Sequence, residues 1–371
     1  MTNRLERLRH KIQEAGLAAV AVMPGPNFRY LTGTQMMLSE RPVLLFLPAS
    51  GEPAALCPAF EAERVREAGI SRVFTYTDEA GPGSAAVAAV RSLNLPRGAH
   101  WGLEYRHLRL LERELLAAGL AENGLDLAYE DAGGLLAALR SRKDEAEVEA
   151  LARAATLTDE GMRLAREAIR PGASELDVLD AVAAGLKRAG LRSEPEILVA
   201  SGPRAAVPHA EATGRVMQEG ELCWVDLVLT WDGYVGDITR TFAVGRIDTV
   251  PEELRRIYAV VEEAQARGRE AARPGATGSL VDEAARSVIV GRGYGPYFTH
   301  RTGHGIGLEV HEDPYMVAGA EQPLEEGMAF TVEPGIYLPE RGGVRIEDDV
   351  LLVPGGARVL TCYPRHLTGS V

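Results

Sequence analysis

The pentapeptide Arg170-Pro171-Gly172-Ala173-Ser174 recurs as Arg273-Pro274-Gly275-Ala276-Thr277, and each copy runs into a helical pattern. Pro-Gly ends one helix, and Ser174 or Thr277 is placed to cap the next. The agreement continues downstream. Gln218-Glu219-Gly220 precedes the apolar run Leu222-Cys223-Trp224-Val225, which ends in Asp226. Glu325-Glu326-Gly327 precedes Met328-Ala329-Phe330-Thr331-Val332, which ends in Glu333, so each acid lies six residues after its glycine. A second acid follows each first, Asp237 after eleven residues and Glu347 after fourteen, on segments rich in β-branched residues. Both read as strand, turn, strand. The region from about 150 to 365 is thus two copies of helix, helix, hairpin, too few to stack as a solenoid. Halves facing each other across a pseudo-twofold axis bring the four acids together.

The spacing also nominates His304, between the two acid pairs, as a fifth ligand beside apolar strand residues. Four carboxylates and an imidazole in one core are electrostatically intolerable unless cations neutralise them. Two divalent metals resolve the conflict. A lone Asp at a strand end is most often a turn former, and Asp348 and Asp349 read that way. Asp226 and Glu333, by contrast, hold equivalent places in both copies, which a turn preference does not require.

At 371 residues the chain has room for two or three cores at roughly 150 residues each. Its 46% hydrophobic and 25% charged residues are those of an ordinary globular protein. A net charge of −13, with no Lys/Arg run, excludes a phosphate-tracking surface and so a nucleic-acid partner. The first residues open an amphipathic helix and lack the apolar core and cleavage site of a signal peptide. The longest apolar stretches, over 16–24 and 43–48, fall short of the ~20 residues that span a membrane. A cytoplasmic protein without a membrane partner is expected. Cys57, Cys223 and Cys362, odd in number and far apart, read as reduced core thiols.

Residues 1–130 alternate helix and strand signals: helices over 5–15, 61–68, 84–93 and 107–116, and strands over 18–23, 42–47, 54–56, 72–76 and 101–103. This is an α/β domain of its own. Its first strand is followed by Met23-Pro24-Gly25-Pro26, which cannot supply the phosphate cradle of a dinucleotide site. Residues 131–371 form the second, α+β domain with the internal repeat, beginning with linking helices over 131–155.

In His300-Arg301-Thr302-Gly303-His304-Gly305-Ile306-Gly307, two histidines four apart invite comparison with the zinc-protease helix. Arg301 stands where that motif needs a general-base Glu, and the glycines argue against a helix. No Lys-Ser/Thr follows to make a phosphate loop. Five segments carry a resemblance instead: Val225-Asp226-Leu227, Gly233-Tyr234 through Asp237-Ile238-Thr239-Arg240-Thr241, Gly303 through Gly307, Val332-Glu333-Pro334-Gly335, and Val344-Arg345-Ile346-Glu347-Asp348. In order and content they resemble the prolidase and aminopeptidase P branch of the pita-bread metallopeptidases. Counting an N-terminal domain like that of creatinase, the resemblance covers the whole chain. Val228-Leu229, where Gly-Ala is common, and Gly236, where a small polar residue is usual, depart from the pattern.

The resemblance implies that Asp226 chelates one metal, that His304 and Glu333 bind the other, and that Asp237 and Glu347 bridge both. Such ligands suit Mn²⁺, Co²⁺ or Zn²⁺. It also implies that His209, His300 and His311 serve catalysis or substrate binding, and that Glu333 shuttles a proton to the leaving proline nitrogen. His311 is expected to stabilise the oxyanion and His209 to contact the proline side. The implied activity is cleavage of an N-terminal Xaa-Pro bond in dipeptides or short peptides by a homodimer. Methionine aminopeptidases share the catalytic fold but generally lack the N-terminal domain; creatinase has that domain but lacks the five ligands, and a non-enzymatic relative would have lost some of them. A dipeptidase is favoured over an aminopeptidase P acting on longer peptides, and it needs a cation for the substrate carboxylate. Arg345 and Arg41, the latter in Ser39-Glu40-Arg41-Pro42, are the candidate substrate-binding cations; for Arg345, two residues before Glu347 on the same strand face, the resemblance also implies a role in orienting the neighbouring carboxylates.

Overall fold

The computed structural model describes residues 2–369, and the chain divides after Arg140 into two compact units. The first unit runs α1 (Thr2–Glu14), β1 (Ala19–Val22), α2 (Pro26–Thr32), β2 (Leu44–Pro48), β3 (Ala54–Pro58), α3 (Ala62–Glu67), β4 (Arg72–Tyr76), α4 (Gly83–Ser92), β5 (His100–Leu103), α5 (Leu110–Ala121), β6 (Ala128–Asp131) and α6 (Gly133–Arg140). Its sheet has the order β4-β3-β2-β1-β5-β6. β1, β5 and β6 run parallel, while β2 is antiparallel to both of its neighbours. β1, β2 and β3 are buried along their whole length, as strands covered on both faces must be. That is why they read as continuous apolar runs.

Expectation and structure differ here in three places: β6 answers to no expected strand, its four exposed residues carrying no apolar run. The segment that opens with Pro26 forms α2, with Pro26 at its first turn and Gly33 as a left-handed C-cap; its seven residues are too few to show a helical period. The first unit also extends past the expected end at 130. Tyr30 Oη donates to the Leu139 carbonyl (2.9 Å) and Arg140 Nη1 to Asn27 Oδ1 (2.9 Å), which binds α6 to this unit.

The second unit contains α7 (Glu145–Ala168), α8 (Glu175–Arg188), β7 (Glu196–Ser201), β8 (Leu222–Trp231), β9 (Tyr234–Ala243), α9 (Glu252–Ala271), α10 (Gly278–Gly291), β10 (Gly303–Gly305), β11 (Glu312–Met316), β12 (Ala329–Val332), β13 (Gly335–Leu338), β14 (Gly342–Arg345), β15 (Asp348–Val353) and β16 (Gly356–Val359). The repeat holds to the level of single hydrogen bonds. Ser174 and Thr277 cap α8 and α10, accepting from Asp177 N and Leu280 N. Gly172 N donates to Met217 O and Met217 N to Ala173 O; in the second copy Gly275 N donates to Leu324 O and Leu324 N to Ala276 O.

The sheets are β7-β8-β9 and β11-β10-β12-β15-β16, with β13 and β14 as a separate hairpin. β8 and β9 are joined by Asp232-Gly233, both at positive φ, the two-residue turn whose twist suits a hairpin. The second hairpin is interrupted between β14 and β15, where one strand was expected. Pro334 has no N–H to give to the ladder, and just past its partner Ile346 the chain turns away, Glu347 N leaving the hairpin to donate to Thr239 O (3.1 Å). Thr241 continues the junction: its hydroxyl donates to Arg345 O (2.9 Å) and accepts from Arg345 N (3.2 Å). The two halves of the repeat are thereby knit together at the four acids.

Candidate active site

Strand register decides where the acids point. Asp226 lies opposite Thr239 in the β8–β9 ladder, and Asp237 is two residues from Thr239, so all three share one face. In the second half the register that pairs Val332 with Asp348 and Gly335 with Arg345 sets Glu333 opposite Glu347. His304 sits in β10, where Gly303 and Gly305 let the strand pass between its neighbours. A Cβ at Gly303 would lie 1.9 Å from Thr331 O, and one at Gly305 2.4 Å from Asp313 O. The glycines of this motif are therefore packing residues. Gly236 has the same explanation: its Cβ would meet the Ala154 backbone at 2.8 Å.

Ligand atoms of Asp237, His304 and Glu347 come within 4.8 Å of one another, and all three residues are buried. His304 Nε2 is 3.2 Å from Glu333 Oε1 and 3.8 Å from Asp237 Oδ2. Its Nδ1 faces the Gly305 carbonyl at 3.2 Å. A carbonyl only accepts, so Nδ1 carries a proton; Nε2 faces the carboxylates, donating to Glu333 in the metal-free protein and left to a cation once that proton is released. The Thr239 hydroxyl touches both Asp226 Oδ1 (2.9 Å) and Glu347 Oε2 (2.6 Å). All five expected ligands thus meet at one place.

Arg345 was expected either on the substrate or orienting the neighbouring carboxylates, and its donors are already used within the protein. Nη2 donates to Asp226 Oδ2 (2.7 Å), Nε to Thr239 Oγ1 (3.0 Å), and Nη1 to Tyr337 Oη (2.8 Å) and Pro208 O (3.1 Å). The guanidinium lies 4.7 Å from the ring centre of Trp224, and the residue is 3% exposed. It holds Asp226 rather than offering a fork to a ligand. Tyr337 Oη, while accepting from Arg345, also reaches His300 Nε2 (2.9 Å), whose Nδ1 faces Arg301 O (2.7 Å). Both ring nitrogens of His300 are occupied within the protein, and burial pushes its pKa down. The other two histidines lie at the rim and are exposed. The His311 ring stands edge-on to His304 with centres 4.2 Å apart. Its protein-facing side is desolvated, and with His304 and Arg301 nearby its pKa falls to about 4. His209 is close enough that its charge acts on both His300 and His311.

Residues 149–354 match the model of metallopeptidase family M24, and residues 4–142 match the creatinase/prolidase N-terminal domain. The chain belongs to metallopeptidase family M24. It is similar to the Xaa-Pro dipeptidase of Lactobacillus delbrueckii subsp. lactis, at 33% identity over 98% of this chain and 98% of that protein. Among solved structures it is similar to dipeptidase PepE from Mycobacterium ulcerans, with 36% identity and a TM-score of 0.90 over 99% of this chain and 97% of that one. The prolidase from Pyrococcus horikoshii OT3 matches at 30% identity and a TM-score of 0.86 over 98% and 99%. As an M24 member the chain is a metallopeptidase with the pita-bread fold.

The donor set of this M24 peptidase fits divalent cations on its own electrostatics. Burial and then the neighbouring carboxylates push Asp237 and Glu347 well above the usual carboxylate range. Burial also raises Glu333, but the hydrogen bond and charge of His304 outweigh it and hold that carboxyl at about 2. The single proton of the Thr239 hydroxyl cannot serve two ionised carboxylates, which agrees with a proton on Glu347. Cations replace such protons when they bind. Asp349 belongs to the same buried cluster: its Oδ2 accepts from Asp237 N (3.0 Å), and its Oδ1 has no partner among the described residues.

A pH dependence follows. Asp237, Glu347 and Asp349 have folded pKa values raised above those of the unfolded chain, about 4. Their contribution to stability is complete below that value and is lost as pH rises through the folded values. Glu333 works the other way, but its change is over by about pH 5. His300 and His311, with folded pKa values below the unfolded value of about 6.5, also work the other way up to about pH 7, in chelated and metal-loaded protein alike. The Tm of chelated protein should therefore fall further below that of metal-loaded protein as pH is raised from 5, and a gap that narrows over this range would contradict the assignment.

Several contributors were missed. Asp348 and Asp349, read as turn formers, are fully buried in β15. Asp348 is neutralised by Arg240 Nη2 (2.8 Å) and Arg365 Nε (2.5 Å) and accepts from Gln265 Nε2 (2.6 Å). Arg240 also donates to the Glu347 carbonyl, steadying a candidate ligand from behind. Of the three free thiols among the described residues, Cys57 and Cys223 are core residues as expected, but Cys362 is exposed. Arg41 lies in the first unit, where its Nε and Nη2 are forked onto Asp78 at 2.8 Å each and Nη1 donates to Glu40 (2.5 Å).

Proposed function

We propose that this M24 peptidase is a dinuclear Xaa-Pro dipeptidase. The observation that carries the reading is the complete set of Asp226, Asp237, His304, Glu333 and Glu347 converging beneath two exposed histidines. Relatives named Xaa-Pro dipeptidase and prolidase support it. Asp226, Asp237 and Glu347 would hold one ion, and His304, Glu333, Asp237 and Glu347 the other. With mostly oxygen donors and one imidazole, the set suits Mn²⁺, Co²⁺ or Zn²⁺. Ions bound there supply Lewis acidity and a reactive nucleophile from water at neutral pH.

The residues of the chain take the other parts. Glu333, ionised and held by His304 and by the Thr331 hydroxyl (3.3 Å), accepts a proton and passes it to the leaving proline nitrogen. His311, uncharged at neutral pH, offers an N–H to the developing oxyanion. His209 lies along the proline side of the substrate, and His300, locked through Tyr337 and Arg345, acts by fixing the geometry. Val228, which faces Asp237 across the ladder, narrows the site where the family commonly has a small residue. Buried free thiols at Cys57 and Cys223 support a cytoplasmic location. No helix among the described residues is long and apolar enough to cross a membrane. The homodimer belongs to the same reading.

One observation favours the alternative, an aminopeptidase P acting on longer peptides: both candidate carboxylate clamps, Arg345 and Arg41, have carboxylate partners of their own. Comparing Ala-Pro with Ala-Pro-Ala decides. A dipeptidase favours Ala-Pro, and if Arg41 leaves Asp78 to clamp the substrate, Arg41→Ala raises KM for Ala-Pro alone. Equal effects on both peptides rule out the clamp, and a wild-type preference for Ala-Pro-Ala overturns the dipeptidase reading.

A further inference from the structure

The loop that carries His209 is closed at both ends by one buried carboxylate. Glu175, in the first turn of α8, is fully buried. Its Oε1 accepts from Ser201 N and Ser201 Oγ, both at 2.9 Å, where the chain leaves β7. Its Oε2 accepts from Thr213 N (3.0 Å) and Thr213 Oγ1 (2.8 Å), where the loop returns, and from Arg204 Nε (3.2 Å), near the loop's start. A carboxylate taken out of water is costly unless its lone pairs are filled. Five donors fill them, and bonds to a charged acceptor are roughly twice as strong as neutral ones.

The inner side of the same loop is held from the metal side. Trp224 Nε1 donates to Ala205 O (2.9 Å), and Arg345 Nη1 donates to Pro208 O (3.1 Å), the carbonyl just before His209. Arg345 is the residue that holds Asp226. His209 is thus suspended between Glu175 and the ligand shell. The internal repeat does not demand this carboxylate. In the second copy the residue after the capping Thr277 is Gly278, and the segment with His300 is held by Asp282 and Arg286 instead. An acid at 175 therefore serves the His209 loop in particular.

We propose that Glu175 is a positioning residue that sets His209 against the bound peptide and so governs substrate affinity. This rests on the reading that His209 contacts the proline side. Glu175→Gln, and the milder Thr213→Val, should raise KM for Ala-Pro, by ~10-fold for the former on the scale of one charged hydrogen bond. Turnover number and bound metal should stay near wild type. In a His209→Ala background Glu175→Gln should add nothing further to KM, since both act through one group. Amide exchange across 201–213 should speed up in the variants, while exchange across 298–312 is unchanged. Additive KM effects in the double variant, or an unchanged KM in both single variants, would overturn the proposal. If the wild type cleaves no Xaa-Pro peptide, the substrate reading fails by itself. The exchange arm then still decides, because unaltered exchange over 201–213 removes Glu175 from the loop's support.

Discussion

Asp237→Ala is expected to lose nearly all peptide hydrolysis, with a fall of ~10³-fold or more and loss of bound metal. Changes one layer out from a metal typically cost ~10–100-fold, and removing a carboxylate that bridges two ions should exceed that. Asp237 is buried among Asp226, Glu333 and Glu347, so water cannot easily replace it. Thr239→Val supplies the comparison. It removes the hydroxyl shared by Asp226, Glu347 and Arg345 but no ligand, and should fall within the outer-layer range. Parallel assays with metal analysis of both variants check the order. An Asp237→Ala protein as active as Thr239→Val would remove Asp237 from the bridging position.

His311→Ala should lower turnover by ~10²-fold, the scale of one lost oxyanion donor, while metal content stays near wild type. His311 packs edge-on against His304 but is exposed, so removing it leaves the buried ligand cluster intact. With its pKa at about 4, the ring is uncharged throughout the neutral range. Loss of metal in this variant would instead make His311 a ligand or a structural residue.

The repeat was legible because its signals are local. A Pro-Gly turn, a capping hydroxyl and an acid at a fixed distance from a glycine need no knowledge of the partner strand, and each holds the expected place in both copies. The convergence of the five candidate ligands was legible for the same reason. The supports behind them were not, because their partners lie far apart in sequence. Arg240 meets Asp348, Tyr337 meets His300, and Glu175 meets both Ser201 and Thr213 only once the strands are in register. Asp348 and Asp349 show the limit clearly. Read locally, two acids at a strand end are turn formers; buried, Asp348 is held by Arg240 and Arg365 from distant positions, while burial pushes the Asp349 carboxyl up. Arg345 shows the intermediate case: its place beside Glu347 points to the carboxylates, but which one it holds, Asp226, is set only by the fold.

The most direct test is metal dependence measured as stoichiometry and activity together. Protein stripped by a chelator and assayed on Ala-Pro should be inactive, and titration with Mn²⁺, Co²⁺ or Zn²⁺ should restore hydrolysis as binding approaches two ions per chain. Undiminished hydrolysis in protein shown to be metal-free would contradict the account.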